Sequence, residues 1–247
     1  MSPRRPIRRL AQALAFAAFA LAAAFIALLA HPQPLFAYHV EEGRLELWSD
    51  HDFDRDAGRR VLADVEQRLS VSELNRPGER FRIFISNEPW RSRLFFLPAG
   101  GARGLNYYPL AGNVFLRSSN IELGLVYGPS GKPADPPRTL AYYAAHEIGH
   151  SLTGEAIGVW RYFRLPVWVR EGVADYAGLS GDIDVAALAQ RLKAGEPDLD
   201  PKLSGRYTRY HLLVAYLVKQ RGWTLADILG RVPDQAAVEK ELIAAYQ

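Results

Sequence analysis

The sequence predicts an α+β chain of 247 residues: a small mixed sheet with a packed helix, then a helical lobe, preceded by one apolar helix. Three observations predict it. Residues 10–30 hold no charge over 21 positions and follow Arg4, Arg5, Arg8 and Arg9. Short alternating apolar and polar runs fill the first half of the remainder. Apolar residues at helical spacing fill the second half.

Taken in order, residues 1–30 form a targeting or anchoring segment. Twenty-one uncharged residues match one membrane span of ~20, and exceed the 7–15 of a cleaved signal's apolar core. The expectation is therefore an N-terminal transmembrane helix with its arginines in the cytoplasm and the rest of the chain outside it. A cleaved signal peptide, leaving a secreted or periplasmic domain, is the alternative, and the Arg pairs have an imperfect twin-arginine look. Residues 31–43 form a short Pro-containing linker. Residues 44–247 are long enough for one domain with its own core, divided into a strand-rich lobe, 44–135, and a helical lobe, 136–247.

Residues 43–48 alternate as a strand. Residues 54–70 carry Ala57, Val61, Leu62, Val65 and Leu69 at helical spacing, and 81–85 read as a second strand. The 90–97 stretch has no clear period. Residues 105–108 and 113–117 are shorter strands, and 127–135 is a Gly- and Pro-rich loop. Beyond 136 the pattern is helical, with segments at 136–153, 166–178, 183–194, 206–221, 224–229 and 234–246. A connection at 155–165 contains Trp160, Tyr162 and Phe163. It reads either as a flap over a cleft or as aromatic residues packed beneath a loop.

Charge and composition exclude some classes. The chain has 30 bases and 27 acids; without the four N-terminal arginines the balance is 26 to 27. The domain is near neutral, so its basic overall balance is no footprint for nucleic acid. The absence of cysteine excludes disulfides and thiolate metal sites.

The chemistry concentrates at His146, Glu147 and His150. On a helix, two histidines four residues apart lie on one face, and both imidazoles reach one ion with Glu147 beside them. This H-E-x-x-H pattern provides two zinc ligands and a general base. Asp135 and two prolines offer a start for the helix, and Gly154 offers a stop. A catalytic zinc needs a third protein ligand and an open position for water. The metzincin extension would place a third histidine at 156, where Ala156 stands. A carboxylate from a second helix is the remaining common option. Glu171, 21 residues after His150 on the 166–178 segment, is the candidate. Asp175, one turn further along, suits a role behind the ligands, accepting the free N–H of an imidazole.

The pairing of His146-Glu147-Ile148-Gly149-His150 with Trp168-Val169-Arg170-Glu171-Gly172-Val173-Ala174-Asp175-Tyr176 resembles the gluzincin zinc metallopeptidases, specifically the peptidase MA-like group. The resemblance spans residues 136–222 and is loose over its third, tyrosine-containing block. It implies a zincin-like fold, Zn2+ as cofactor and a peptide or protein substrate. It also implies a tyrosine or histidine on a later helix that steadies the oxyanion: Tyr207 matches, with Tyr210 and His211 as fallbacks. By the same resemblance, 113–117 is either the edge strand on which an extended peptide pairs or an ordinary core strand. The expected function is that of a membrane-anchored zinc metallopeptidase with Glu147 as base. The alternative is a non-catalytic anchored protein that binds metal or peptide. An intramembrane protease is excluded, because the motif lies far from the apolar span.

Overall fold

Ala-, Leu- and Phe-rich sequence forms helix α1 (Arg4–Ala30), of which Arg9–Ala30 is apolar enough to cross a membrane or to serve as a signal sequence. The computed structural model describes residues 4–246 except Pro77, with side chains from Arg9 onward; the Arg4, Arg5 and Arg8 side chains named above lie outside the described residues.

The segment expected as a linker is not all linker. Tyr38–Glu42 forms strand β1, which pairs antiparallel with β2 (Leu45–Ser49) across a turn at Gly43. Only Val40 of β1 is buried, so the strand shows little alternation in its sequence. Asp54 then caps α2 (Arg55–Leu69) by accepting from the Ala57 N–H, in line with the expected helix. Next come β3 (Phe81–Ser86), α3 (Pro89–Phe95), β4 (Gly104–Asn106) and β5 (Val114–Arg117). Helix α3 occupies the stretch without a clear period and starts on a proline at its first position. A two-stranded ribbon, β6 (Ser119–Asn120) with β7 (Leu125–Val126), closes the strand-rich half.

The five-stranded sheet is mixed, in the order β1-β2-β3-β5-β4. Strand β5 is paired on both sides, parallel to β3 and antiparallel to β4. Of the two readings of 113–117 the core strand is the correct one. The edge strands are β1 and β4; the edge beside β5 belongs to β4, because the chain turns back after α3 and adds β4 outside β5.

Side-chain alternation assigns the two faces of the sheet. Leu47, Ile83, Ile85, Val114 and Leu116 pack in the large core with α2 and the helices that follow. Phe84 and Phe115 point the other way, into an aromatic cluster with Phe36, Phe95 and Phe96 that also receives Leu29 of α1. Each such fully buried side chain contributes roughly 1.5–3 kcal/mol through the hydrophobic effect.

The helical half comprises α4 (Leu140–Ile157), α5 (Val159–Tyr162), α6 (Val167–Gly178), α7 (Val185–Lys193), α8 (Pro201–Ser204), α9 (Thr208–Lys219), α10 (Leu225–Arg231) and α11 (Gln235–Ala245). Two boundaries of α4 differ from expectation. It begins at Leu140, because Thr139 rather than Asp135 caps it, accepting from the Tyr142 N–H. It runs through Gly154 and ends at Gly158, whose φ of 80° suits a residue without a side chain. Gly154 is a spacer: a Cβ there would stand 2.3 Å from the Tyr108 ring. Glycine has the same use where α4 crosses α6, since a Cβ on Gly149 would lie 3.2 Å from the Ala174 Cα.

Candidate metal centre

Helix α4 is buried on nearly every side from Leu140 to Gly154, so its polar residues face other elements rather than solvent. His146 and His150 project together one turn apart, their rings perpendicular with centroids 4.8 Å apart. A short turn-and-helix connection brings α6 back against α4, and Glu171 meets both rings. Its Oε2 lies 3.6 Å from His146 Nε2 and 3.5 Å from His150 Nε2. The three side chains are 8–11% exposed.

These separations can be tested against zinc. Ligand distances of 2.0–2.1 Å in a tetrahedron place neighbouring donors about 3.3 Å apart. The two measured edges are within a few tenths of an ångström of that, and all three donor atoms lie within 4.8 Å of one another. The donor set, two imidazoles and one carboxylate, is chemically suited to zinc. The buried His-His-Glu cluster could therefore hold a metal.

Asp175 stands behind His146, fully buried, with Oδ1 2.8 Å from Nδ1. The approach is bent away from the ring N–H direction, so it acts as a charge contact more than as a linear hydrogen bond. The same oxygen accepts from Tyr142 Oη at 2.5 Å, and Arg138 Nη2 lies 3.7 Å from Oδ2. Tyr142 and Arg138, four and eight residues before His146, were not singled out in the sequence; helical spacing puts Tyr142 on the histidines' face, and Arg138 reaches Asp175 from the loop just before the Thr139 cap.

The electrostatics follow from this packing. For His146, burial opposes the charged form, but Asp175 and Glu171 outweigh it and push the imidazole, with no ion beside it, up to about 10. Burial works to raise the Glu171 carboxyl, yet the two histidines hold it well below the usual carboxylate range. Glu147 is raised, mainly by burial, with the histidines and the Asn106 backbone N–H pulling the other way.

The cluster lies in a cleft of about 900 Å³, within the size range of ligand sites. Strand β4 forms one wall. Gly104 sits directly over Glu147, where an added Cβ would stand 2.7 Å from Oε1. Asn106 donates to Ser151 Oγ on α4 at 2.9 Å. Tyr207, which precedes α9, forms another wall, with its ring parallel to that of His146 at 6.4 Å. Burial is the main cause that raises its phenol to about 12, so it is a donor near neutral pH. Tyr210 stacks behind Tyr207 at 5.8 Å. His211 is 1% exposed, packs edge-on against Tyr176 and does not line the cleft. Burial lowers it to about 4 and keeps it neutral.

The 155–165 connection satisfies both of its readings in part. Tyr162 is buried against His150, with ring centroids 6.4 Å apart, and forms part of the cleft wall. Trp160 and Phe163 are 80% and 57% exposed. Gly104, Asn106, Arg138 and Tyr143 belong to the cleft without having been recognised in the sequence.

No protein-family model matches the chain, and no curated protein matches it either.

Proposed function

We propose that this chain is a membrane-anchored zinc metallopeptidase of the gluzincin type, with the zincin-like architecture that the motif resemblance implies. The observation that supports it most directly is the convergence of His146, His150 and Glu171 at near-tetrahedral spacing, with Glu147 beside them. Zinc held by these three residues would polarise the scissile carbonyl and lower the pKa of water toward ~7. Glu147 takes the proton from the attacking water and delivers it to the leaving amine. Its burial favours the protonated form, which suits the second of those steps. Tyr207 donates a hydrogen bond to the developing oxyanion of the substrate. Asp175 keeps His146 oriented and its Nε2 turned toward the cleft.

The β4 edge provides the place for an extended peptide. Arg117 N–H donates to Arg103 O at 2.9 Å, so the odd-numbered residues of this antiparallel pair bond inward to β5. The backbone groups of Gly104 therefore face outward, next to Glu147, and are free to pair with substrate main chain. Helix α1 is read as an uncleaved anchor, its N-terminus in the cytoplasm and the cleft outside.

Glu147→Gln tests the reading. It should retain bound zinc and lose hydrolysis of casein or a peptide library by 10²-fold or more. Undiminished hydrolysis would remove Glu147 from the role of base, and a wild-type protein that binds no zinc would remove the whole assignment.

A further inference from the structure

We infer that the end of α1 is a built-in part of the domain that seats the cleft at the bilayer surface, so that the substrates are membrane-tethered proteins cut close to the membrane. This rests on the peptidase reading of the cleft and extends it to a substrate class.

The last two turns of α1 are not a free tether. Leu29 is completely buried in the aromatic cluster, and Phe25 packs edge-on against Tyr107 at 6.1 Å. The carbonyls at a helix C-terminus lack intrahelical partners. Here Asn113, 6% exposed at the entrance to β5, donates to Leu29 O at 2.8 Å and to Ala30 O at 3.1 Å. A cut after residue 30 would strip this amide of both acceptors and open the cluster to water, leaving a buried donor without a partner.

The cleft lies one layer away. Leu105 faces the cluster that receives α1, whereas its neighbours Gly104 and Asn106 face Glu147 and Ser151. A single strand thus separates the anchor's packing from the catalytic helix.

The length of α1 draws the domain down to the lipid. Its contact with the domain begins at Phe25, which leaves the exposed residues 10–24 to span the bilayer. Fifteen residues rise about 22 Å, short of a ~30 Å hydrocarbon core. Tyr107 meets α1 at Phe25, and the segments that pack Leu94 and Ala111 on the same cluster also carry Leu97 and Leu110, 71% and 50% exposed. These are placed to make up the difference by entering the interface.

The chain has no cysteine, so single-cysteine labelling is clean. Leu97→Cys, Leu110→Cys and, on the helical lobe, Leu203→Cys are labelled with NBD in the full chain in liposomes containing lipids spin-labelled near the headgroup. Labels at 97 and 110 should be quenched severalfold more than the label at 203. Equal quenching at all three sites overturns the inference. So does quenching at 110 by a spin-labelled second copy instead of by lipid, which would assign the patch to self-association.

A second variant inserts seven apolar residues between Ala24 and Phe25. Seven residues lift the domain about 10 Å and return the packed face to within about 20°. Cleavage of a membrane-tethered substrate four residues from the bilayer should fall at least tenfold, while a soluble peptide is cut as before. An unchanged ratio between the two substrates overturns the inference. If the wild type cuts neither, the peptidase reading has failed, and the quenching result still decides where the cleft sits.

Discussion

Gly104→Ala changes one hydrogen to a methyl group, yet it should disable the cleft. The φ angle of Gly104 lies outside the left-handed region, so alanine fits the backbone. What it meets is Glu147: the new Cβ would stand 2.7 Å from Oε1, 2.9 Å from Cγ and 3.2 Å from Cδ. Carbon–oxygen contacts relax at about 3.3 Å or beyond, so the carboxylate must retreat by roughly 0.6 Å. Misplacement of a reacting group by 1 Å can cost 10²-fold in rate, so kcat should drop by roughly ten- to a hundredfold, or about 1.4–2.7 kcal/mol in barrier. The collision is with a side chain that can turn aside, so the melting temperature should hardly move. His146, His150 and Glu171 are not touched, so metal content should match wild type. The assay is kcat and KM on a cleaved peptide, with zinc by elemental analysis and unfolding by circular dichroism. Gly230→Ala is the control, since nothing lies within 4 Å of a Cβ there. Full kcat in Gly104→Ala, alongside an inactive Glu147→Gln, would show that the base does not sit under β4.

Three further outcomes are expected. Tyr207→Phe should lower kcat by 10–10³-fold with KM and zinc content nearly unchanged, and an unaltered kcat would move the donor role to another cleft residue such as Tyr162. Gly172→Ala would put a Cβ 2.7 Å from the Tyr210 carbonyl, where backbone cannot turn aside, so it should destabilise the protein by about 1–3 kcal/mol; an unshifted thermal midpoint would deny that α6 and α9 touch there. In the metal-free protein His146 is raised to about 10, so it is protonated at pH 6–8, and zinc must displace that proton. Lower pH therefore favours the metal-free form. Zinc affinity should rise roughly tenfold per pH unit over that range with release of one proton, and a flat affinity in chelator competition would refute the assignment.

How much of this was legible in the chain depended on sequence distance. His146, Glu147 and His150 could be placed together because helical periodicity alone decides which residues share a face. Glu171 was reachable because α4 and α6 are neighbours in sequence joined by a short connection, so the carboxylate had few other places to go. Asp175 followed, since it repeats the direction of Glu171 one turn later. Tyr142 obeys the same periodicity on the other side of the motif and could have been found by extending it backward, whereas Arg138 lies before the Thr139 cap and could not. The helix boundaries were harder to read, because Asp135 and Thr139 are both acceptable caps and only tertiary packing selects Thr139.

What escaped the sequence is carried by pairs far apart in the chain. Gly104 reads as an ordinary loop glycine until the sheet order puts β4 over Glu147, 43 positions later. The edge role could not be assigned to β4 over β5 without knowing that the chain doubles back after α3. Asn113 and Leu29, 84 residues apart, give the clearest case. An apolar helix looks the same from every side in composition, so nothing in residues 10–30 separates the exposed turns from the turn that meets protein. The separation comes from the domain, through one buried amide aimed at two terminal carbonyls and one aromatic pocket shaped for Leu29. Those two features fix the end of an otherwise generic apolar helix to the domain. Asn113→Leu is the sharpest way to probe that attachment: it leaves every residue of the metal cluster intact and removes only the amide. It should loosen α1, raising hydrogen exchange at residues 25–30, while zinc binding stays at the wild-type level; unchanged exchange there would mean that the amide does not hold the helix end.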